Sequence, residues 1–185
     1  QYFKLNLNTG TSEYKTYWDL LKKFKEPVVL NEDLPCLINE TEKILVSACD
    51  YRMVSDVPVG VFLSGGYDST LVTALLQKGQ TKKIKTFCIG FEENRFNEAP
   101  YAKKIAEHLG TEHAEYYCKQ QDAVNILPLL PEIYDEPFGD SSAIPTILVS
   151  QFARQSLKVV LSGDGGDEVF GGYDRYSTII KLRKN

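Results

Sequence analysis

The chain has 185 residues, 43 % hydrophobic and 25 % charged, with a formal net charge of −4. That length suits one domain at roughly 150 residues per domain, and such a domain buries about 70 % of its unfolded surface. The composition excludes wholesale disorder, collagen and coiled coil. No run approaches the ~18 apolar residues of a membrane span, and a net acidic chain suits a general nucleic-acid surface poorly, so neither membrane nor nucleic acid is an expected partner.

Gln1 to about Asp33 shows no sustained period, and is expected to be a linker from a missing N-terminal domain. Tyr14, Tyr17, Trp18, Leu20, Leu21 and Phe24 give it an aromatic patch that a neighbouring domain would cover, before a charged run and Pro27. The chain opens on Gln1 with no signal peptide pattern, as expected of an excised piece of something longer. From Leu34, apolar Leu37, Ile38, Ile44, Leu45, Ala48 and Met53 recur at three and four, a helical face stopped by Asp56 and Pro58.

Val59 to Leu63 is short, apolar and uncharged, which suits a strand buried on both faces of a parallel sheet. It runs into Ser64-Gly65-Gly66-Tyr67-Asp68-Ser69-Thr70, then a helix with Leu71, Val72, Leu75 and Leu76 inward, closed by Gly79. Ile84 to Gly90 is a second buried strand. Asn97 can cap a helix carrying Tyr101, Ile105, Ala106 and Leu109, ended by Gly110. Glu112 to Cys118, more polar, is a third strand nearer an edge. Ala123 to Tyr134 is a helix interrupted by Pro128 and Pro131, Asp135 to Ser142 a loop, and Ile144 to Ser156 a helix. Lys158 to Leu161 is a fourth buried strand, ending in Ser162-Gly163-Asp164-Gly165-Gly166-Asp167-Glu168. Strands alternating with helices predict an α/β fold, a parallel sheet of about four strands flanked by helices over residues 34–185.

Cys36, Cys49, Cys88 and Cys118 form no C-x-x-C pair and lie far from His108 and His113, so free thiols in a reducing cytoplasm are expected rather than zinc ligands. Both histidines read as surface or helix-end residues. Gly-Gly-Tyr-Asp occurs at Gly65–Asp68 and at Gly171–Asp174 without a wider repeat, which reads as coincidence.

The two Gly-rich loops carry the chemistry. In the first, glycines let the backbone approach a ligand, and N–H groups at the following helix start favour an anion, with hydroxyls from Ser64, Ser69 and Thr70. Neither G-x-x-x-x-G-K-[ST] nor G-x-G-x-x-G is present, so the loop is neither a Walker loop nor a dinucleotide fingerprint. Asp68 beside a phosphate makes sense if it holds Mg²⁺; capping the helix is the alternative. The second loop, alone, reads as a solvated acidic turn. A strand order 3-2-1-4 would reverse the sheet between strands 1 and 4, put both loops on one crevice, and let Asp68 and Asp167 share a cation.

Ser-Gly-Gly-Tyr-Asp-Ser after an apolar strand resembles the PP-loop of the ATP pyrophosphatases, of the adenine nucleotide alpha hydrolase-like fold. Val160–Tyr173 resembles the signature of the asparagine synthetase branch, which Val54–Gly60 and Leu109–His113 also match. The resemblance runs from about Tyr17 to the end, and implies the first part of a synthetase domain that normally follows a glutaminase domain. It implies that Leu63, Ser64, Gly65, Gly66, Asp68 and Ser69 bind ATP and pyrophosphate. Ile89 would meet the adenine through its main chain, Ser162 and Gly163 would contact the nucleotide, and Asp68 and Asp167 would hold Mg²⁺. Asp164 stands where the family carries a Glu thought to act as base towards ammonia.

The implied reaction adenylates a carboxylate of aspartate and transfers ammonia from glutamine to give asparagine, AMP and pyrophosphate. A homodimer is the assembly expected. The family's catalytic Lys lies beyond residue 185, so this piece alone is expected to bind nucleotide weakly and not to turn over. Asp140, Ser141 and Ser142 stand where familiar members have an Arg that contacts aspartate. Another acceptor acid, as in β-lactam synthetases or sugar-acid amidotransferases, is therefore the first alternative; a non-catalytic nucleotide-binding module is the second.

Overall fold

The computed structural model describes residues 1–26, 32–93 and 97–183. The chain divides into two compact units, residues 1–40 and 41–185.

In the first unit, β1 (Tyr2–Leu5) pairs antiparallel with β2 (Ser12–Lys15), from Tyr2 opposite Lys15 to Leu5 opposite Ser12. The Asn6 side chain accepts the Asn8 and Thr9 N–H groups and closes the turn. Phe3 and Tyr14 meet across the pair as tilted rings, centroids 4.9 Å apart. Helix α1 (Leu20–Lys25) follows, its start capped by the Asp19 carboxylate. The expectation of an unpatterned stretch thus missed two strands and a helix. Their residues are exposed on both faces, so no alternation of apolar and polar residues marks them. Pro27 lies outside the described residues.

Helix α2 (Leu34–Met53) begins where the periodicity begins. The second unit then winds as β3 (Val59–Phe62), α3 (Tyr67–Gln77), β4 (Lys85–Phe91), α4 (Ala99–Leu109), β5 (Glu112–Cys118), α5 (Gln120–Ile126), a 3₁₀ turn (Leu127–Leu129), α6 (Leu130–Tyr134), α7 (Ala143–Arg154), β6 (Val159–Leu161), α8 (Gly166–Phe170) and α9 (Asp174–Arg183). The sheet is parallel in the order β5-β4-β3-β6, the predicted 3-2-1-4. The prolines that interrupt the α5–α6 region do so as expected, giving a 3₁₀ turn.

Side-chain alternation explains the layers. Val61 packs with Cys49, Leu76 and Ile84 beneath α2 and α3, while Leu63 and Cys88 pack with Ala99, Ala102 and Ala106 of α4. On the opposite face Phe87 meets Val149 and Ala153 of α7, and Cys118 meets Ile126 of α5 and Ile147 of α7. Three expectations need correction, and two helices add to them. Leu71 is 42 % exposed, because α3 turns it outward while Val72, Leu75 and Leu76 face the core. Strand β6 is half-buried, since it ends the sheet. Helices α8 and α9 bury no residue and so carry no core-facing apolar stripe to announce them. His113, read as a surface residue, lies under α4 with its side chain 10 % exposed, its Nδ1 2.9 Å from Thr86 Oγ1. Burial pushes its pKa below the usual value. Asn97 does serve α4: its Oδ1 accepts the Ala99 and Phe91 N–H groups, tying the helix start to the end of β4.

Candidate active site

The first loop is built by its own serines. Leu63, almost wholly buried, extends β3 by donating its N–H to Phe87 O at 2.9 Å. Ser64 N–H then donates to Ser69 Oγ at 3.2 Å, the two hydroxyls lie 3.0 Å apart, and Ser69 Oγ donates to Gly66 O at 3.3 Å. Gly66 N–H donates back to Ser64 Oγ. The chain turns at Gly65, whose φ of +91° belongs to the region glycine favours. A Cβ there would also lie 3.0 Å from Ala102 N and Tyr101 Cβ, so the loop rests directly on α4. Gly66 caps α3 without a side-chain bond. The helix therefore starts with backbone donors that no side chain has claimed.

The second loop packs its backbone onto the first. A Cβ on Gly163 would lie 2.8 Å from Ser69 N and 3.0 Å from the Asp68 carbonyl carbon, so only glycine admits the contact. The Asp68 carboxylate occupies the space a Cβ on Gly166 would need, at the start of α8. Asp167 lies in the same way against Gly172, and Gly172 N–H donates to Asp167 O. Ser162 Oγ donates to Asp164 Oδ2 at 2.9 Å, turning that carboxylate back onto its own loop. The Tyr173 hydroxyl donates to Glu168 Oε1 at 2.6 Å. That bond holds the Glu168 carboxyl below its usual range and pushes Tyr173 up to about 12.

Together the loops border a cleft of about 840 Å³ at the carboxyl ends of β3, β4 and β6. Of the residues the sequence singled out, Leu63, Ser64, Gly66, Asp68, Ser69, Ile89, Ser162, Gly163, Asp164 and Asp167 line it. Gly65 does not; its part is the turn. Asp68, Glu98, Asp164, Asp167 and Glu168 make the lining strongly acidic, and among the described residues no Lys, Arg or His lines it. Glu98 escaped sequence reasoning, and Tyr173 entered it only as part of a motif, with no role assigned. Glu98 precedes α4 with no motif around it, and burial raises its pKa. Tyr173 follows Gly171-Gly172 and repeats the first loop's grammar: Gly65 and Gly171 both take positive φ, and a helix starts two or three residues later. The repeated Gly-Gly-Tyr-Asp thus marks a repeated turn.

Cys88 lines the cleft with its thiol pushed up to about 12, chiefly by burial, so it serves as an apolar wall. All four cysteines are free. In the Asp135–Ser142 loop, Asp140 Oδ1 accepts the Ser142 N–H and hydroxyl, which lowers the Asp140 pKa. No described helix is long and apolar enough to cross a membrane.

A parallel sheet with two Gly-rich loops at its point of reversal defines an α/β fold whose crevice lies at the carboxyl ends of the strands. Two solved structures share the architecture: U34-tRNA thiolase NcsA from Methanococcus maripaludis and NMN synthetase from Francisella tularensis. The first has a TM-score of 0.52 at 19 % identity over 72 % of this chain and 47 % of that one. The second has a TM-score of 0.51 at 20 % identity over 73 % and 58 %. Such likeness shows the fold alone. The chain itself belongs to the asparagine synthase family, which residues 40–185 match. It is 48 % identical over 158 residues to a Methanocaldococcus jannaschii protein provisionally named asparagine synthetase (glutamine-hydrolyzing) 2, across 85 % of this chain and 30 % of that protein. With Bacillus subtilis asparagine synthetase (glutamine-hydrolyzing) 1 it shares 36 % over 174 residues, 94 % of this chain and 27 % of that protein. The chain spans under a third of the length of these relatives.

Proposed function

We propose that the cleft binds ATP and activates a carboxylate, aspartate in the first instance, for amide formation. The observation that carries this reading is the closure of one Gly-rich loop on the other, Gly163 against the first turn of α3 and Asp68 against Gly166.

In this reading the backbone of Leu63–Ser69 and the start of α3 hold the phosphates, because unclaimed N–H donors and the helix dipole favour an anion there. Ile89 meets the adenine through its main chain; Ser162 and Gly163 border the phosphates from the other side. A carboxylate oxygen of the acceptor bonds to the α-phosphorus, the bond to the β-phosphate oxygen breaks, and pyrophosphate leaves. Ammonia nitrogen then bonds to the acyl carbon, AMP leaves with the electron pair, and the nitrogen loses a proton. Asp164, which lines the cleft and accepts from Ser162, is the base assigned to that proton. The chain's contribution is positioning and charge stabilisation. Glutamine is the proposed source of ammonia, as the glutamine-hydrolyzing relatives suggest.

Asp68 and Asp167 are proposed to hold Mg²⁺. Hard carboxylate oxygens from two loops suit that ion, and among the described residues no set of three or more His, Cys, Asp or Glu forms a closed metal site. Mg²⁺ commonly takes only one or two carboxylates and completes its shell with water and substrate phosphates. When bound, it would neutralise phosphate charge in a cleft with no basic lining among the described residues. A different acceptor acid is the second reading, favoured by the carboxylate of Asp140 in the Asp135–Ser142 loop.

The test is ATP–pyrophosphate exchange by the intact protein with and without L-aspartate. Exchange that needs aspartate is expected. Exchange only with another acid moves the substrate and keeps the mechanism, and no exchange from a folded protein with any acid overturns it.

A further inference from the structure

The cleft has five carboxylates and no basic lining among the described residues, yet the reading above, on which this inference rests, asks it to hold a polyanion. A cation stands beside it. The Arg175 guanidinium carbon lies 4.1 Å from the centroid of the Tyr173 ring, and Tyr173 lines the cleft. Arg175 is the second residue of the exposed helix α9; among the described residues it has no carboxylate within ion-pair distance, and it feels Glu168 only as a charge nearby.

The geometry of that contact matters. Stacking uses the face of a guanidinium and leaves its five N–H donors at the edge. An Arg paired to a carboxylate would have spent that fork; Arg175 has not. Tyr173 is itself anchored by its 2.6 Å bond to Glu168, and Gly172 fits against Asp167, so the ring that carries the arginine is fixed to α8. Lysine could not reproduce a planar stack with the donors turned outward.

We infer that Arg175, carried on Tyr173, is a binding residue that turns its donor edge to the phosphates of the bound nucleotide and of the departing pyrophosphate. It supplies the positive charge that the two Gly-rich loops lack. Tyr173 is its positioning residue.

Steady-state exchange kinetics on the intact protein test this, with Arg175→Ala, Arg175→Lys and Tyr173→Leu beside Asp68→Ala, each checked for an unchanged melting curve. Arg175→Ala is expected to raise the KM for ATP and for pyrophosphate about ten- to a hundredfold while the KM for the acceptor acid stays put. Arg175→Lys should recover part of the loss, and Tyr173→Leu should share it. A wild-type KM for ATP and pyrophosphate in Arg175→Ala, with exchange still abolished by Asp68→Ala, overturns this inference and leaves the nucleotide site standing. A rise confined to the acceptor KM also overturns it, assigning Arg175 to a carboxylate instead. Failure of the site reading itself is distinguishable, since exchange would then persist in Asp68→Ala.

Discussion

The two Gly-rich loops share one grammar and solve opposite problems. Each leaves a parallel strand, turns at a glycine of φ +91° (Gly65, Gly165) and enters a helix. The first is closed and self-sufficient: Ser64 and Ser69 satisfy each other and the backbone, and Ser69 is buried. The second is open and acidic, with helices α8 and α9 that bury nothing. The first loop presents unclaimed backbone donors beside a single carboxylate, Asp68, and the second presents Asp164, Asp167 and Glu168. Anion and cation sites can coexist in one cleft because the first loop supplies backbone donors while carboxylates come from both loops, joined where Gly163 meets α3.

That contrast breaks most readily at Gly163. A methyl group there meets backbone rather than a movable side chain, so Gly163→Ala should cost about 3 kcal/mol as overpacking and abolish exchange, read by denaturant unfolding and by activity. Gly65→Ala places a Cβ in a left-handed conformation against α4. About 2 kcal/mol is expected in the same unfolding measurement. Ser69→Ala opens the clasp of the first loop and should cost about 1 kcal/mol, with Ser64→Ala adding little in the double variant.

The smallest effect belongs to the open loop. Glu168 is held below its usual pKa, first by the Tyr173 hydroxyl. A carboxyl with a lowered folded pKa contributes stability above its unfolded pKa and loses it as pH falls through the folded one. Tyr173→Phe should therefore move the Glu168 midpoint upward in an NMR titration, with the melting curve at pH 7 almost unchanged, as befits an exposed bond.

The sheet was legible because β4 is apolar on both faces: Phe87, Ile89 and Phe91 turn to α7 and α5, and Cys88 turns to α4. Parallel strands buried on both faces announce themselves in this way. The site was legible because its chemistry lies in two contiguous motifs. Glu98 was not, since chain folding alone brings it to the cleft, and neither was the stack of Arg175 on Tyr173. His113 was misjudged because a polar residue on an edge strand ordinarily faces water. Here the small residues Ala99, Ala102 and Ala106 let α4 lie close on the strands beside it. The β1–β2 hairpin had no buried face to write an alternation into the sequence.

The central claim is that the loops act as one site through Asp68 and Asp167. A double-mutant cycle of ATP–pyrophosphate exchange, with Asp68→Asn, Asp167→Asn and the pair, tests it most directly. If the carboxylates serve one function, the double variant is no slower than the slower single variant, and raising Mg²⁺ rescues neither carboxylate's loss independently. Single losses that multiply in the double variant would mean separate roles and contradict the account.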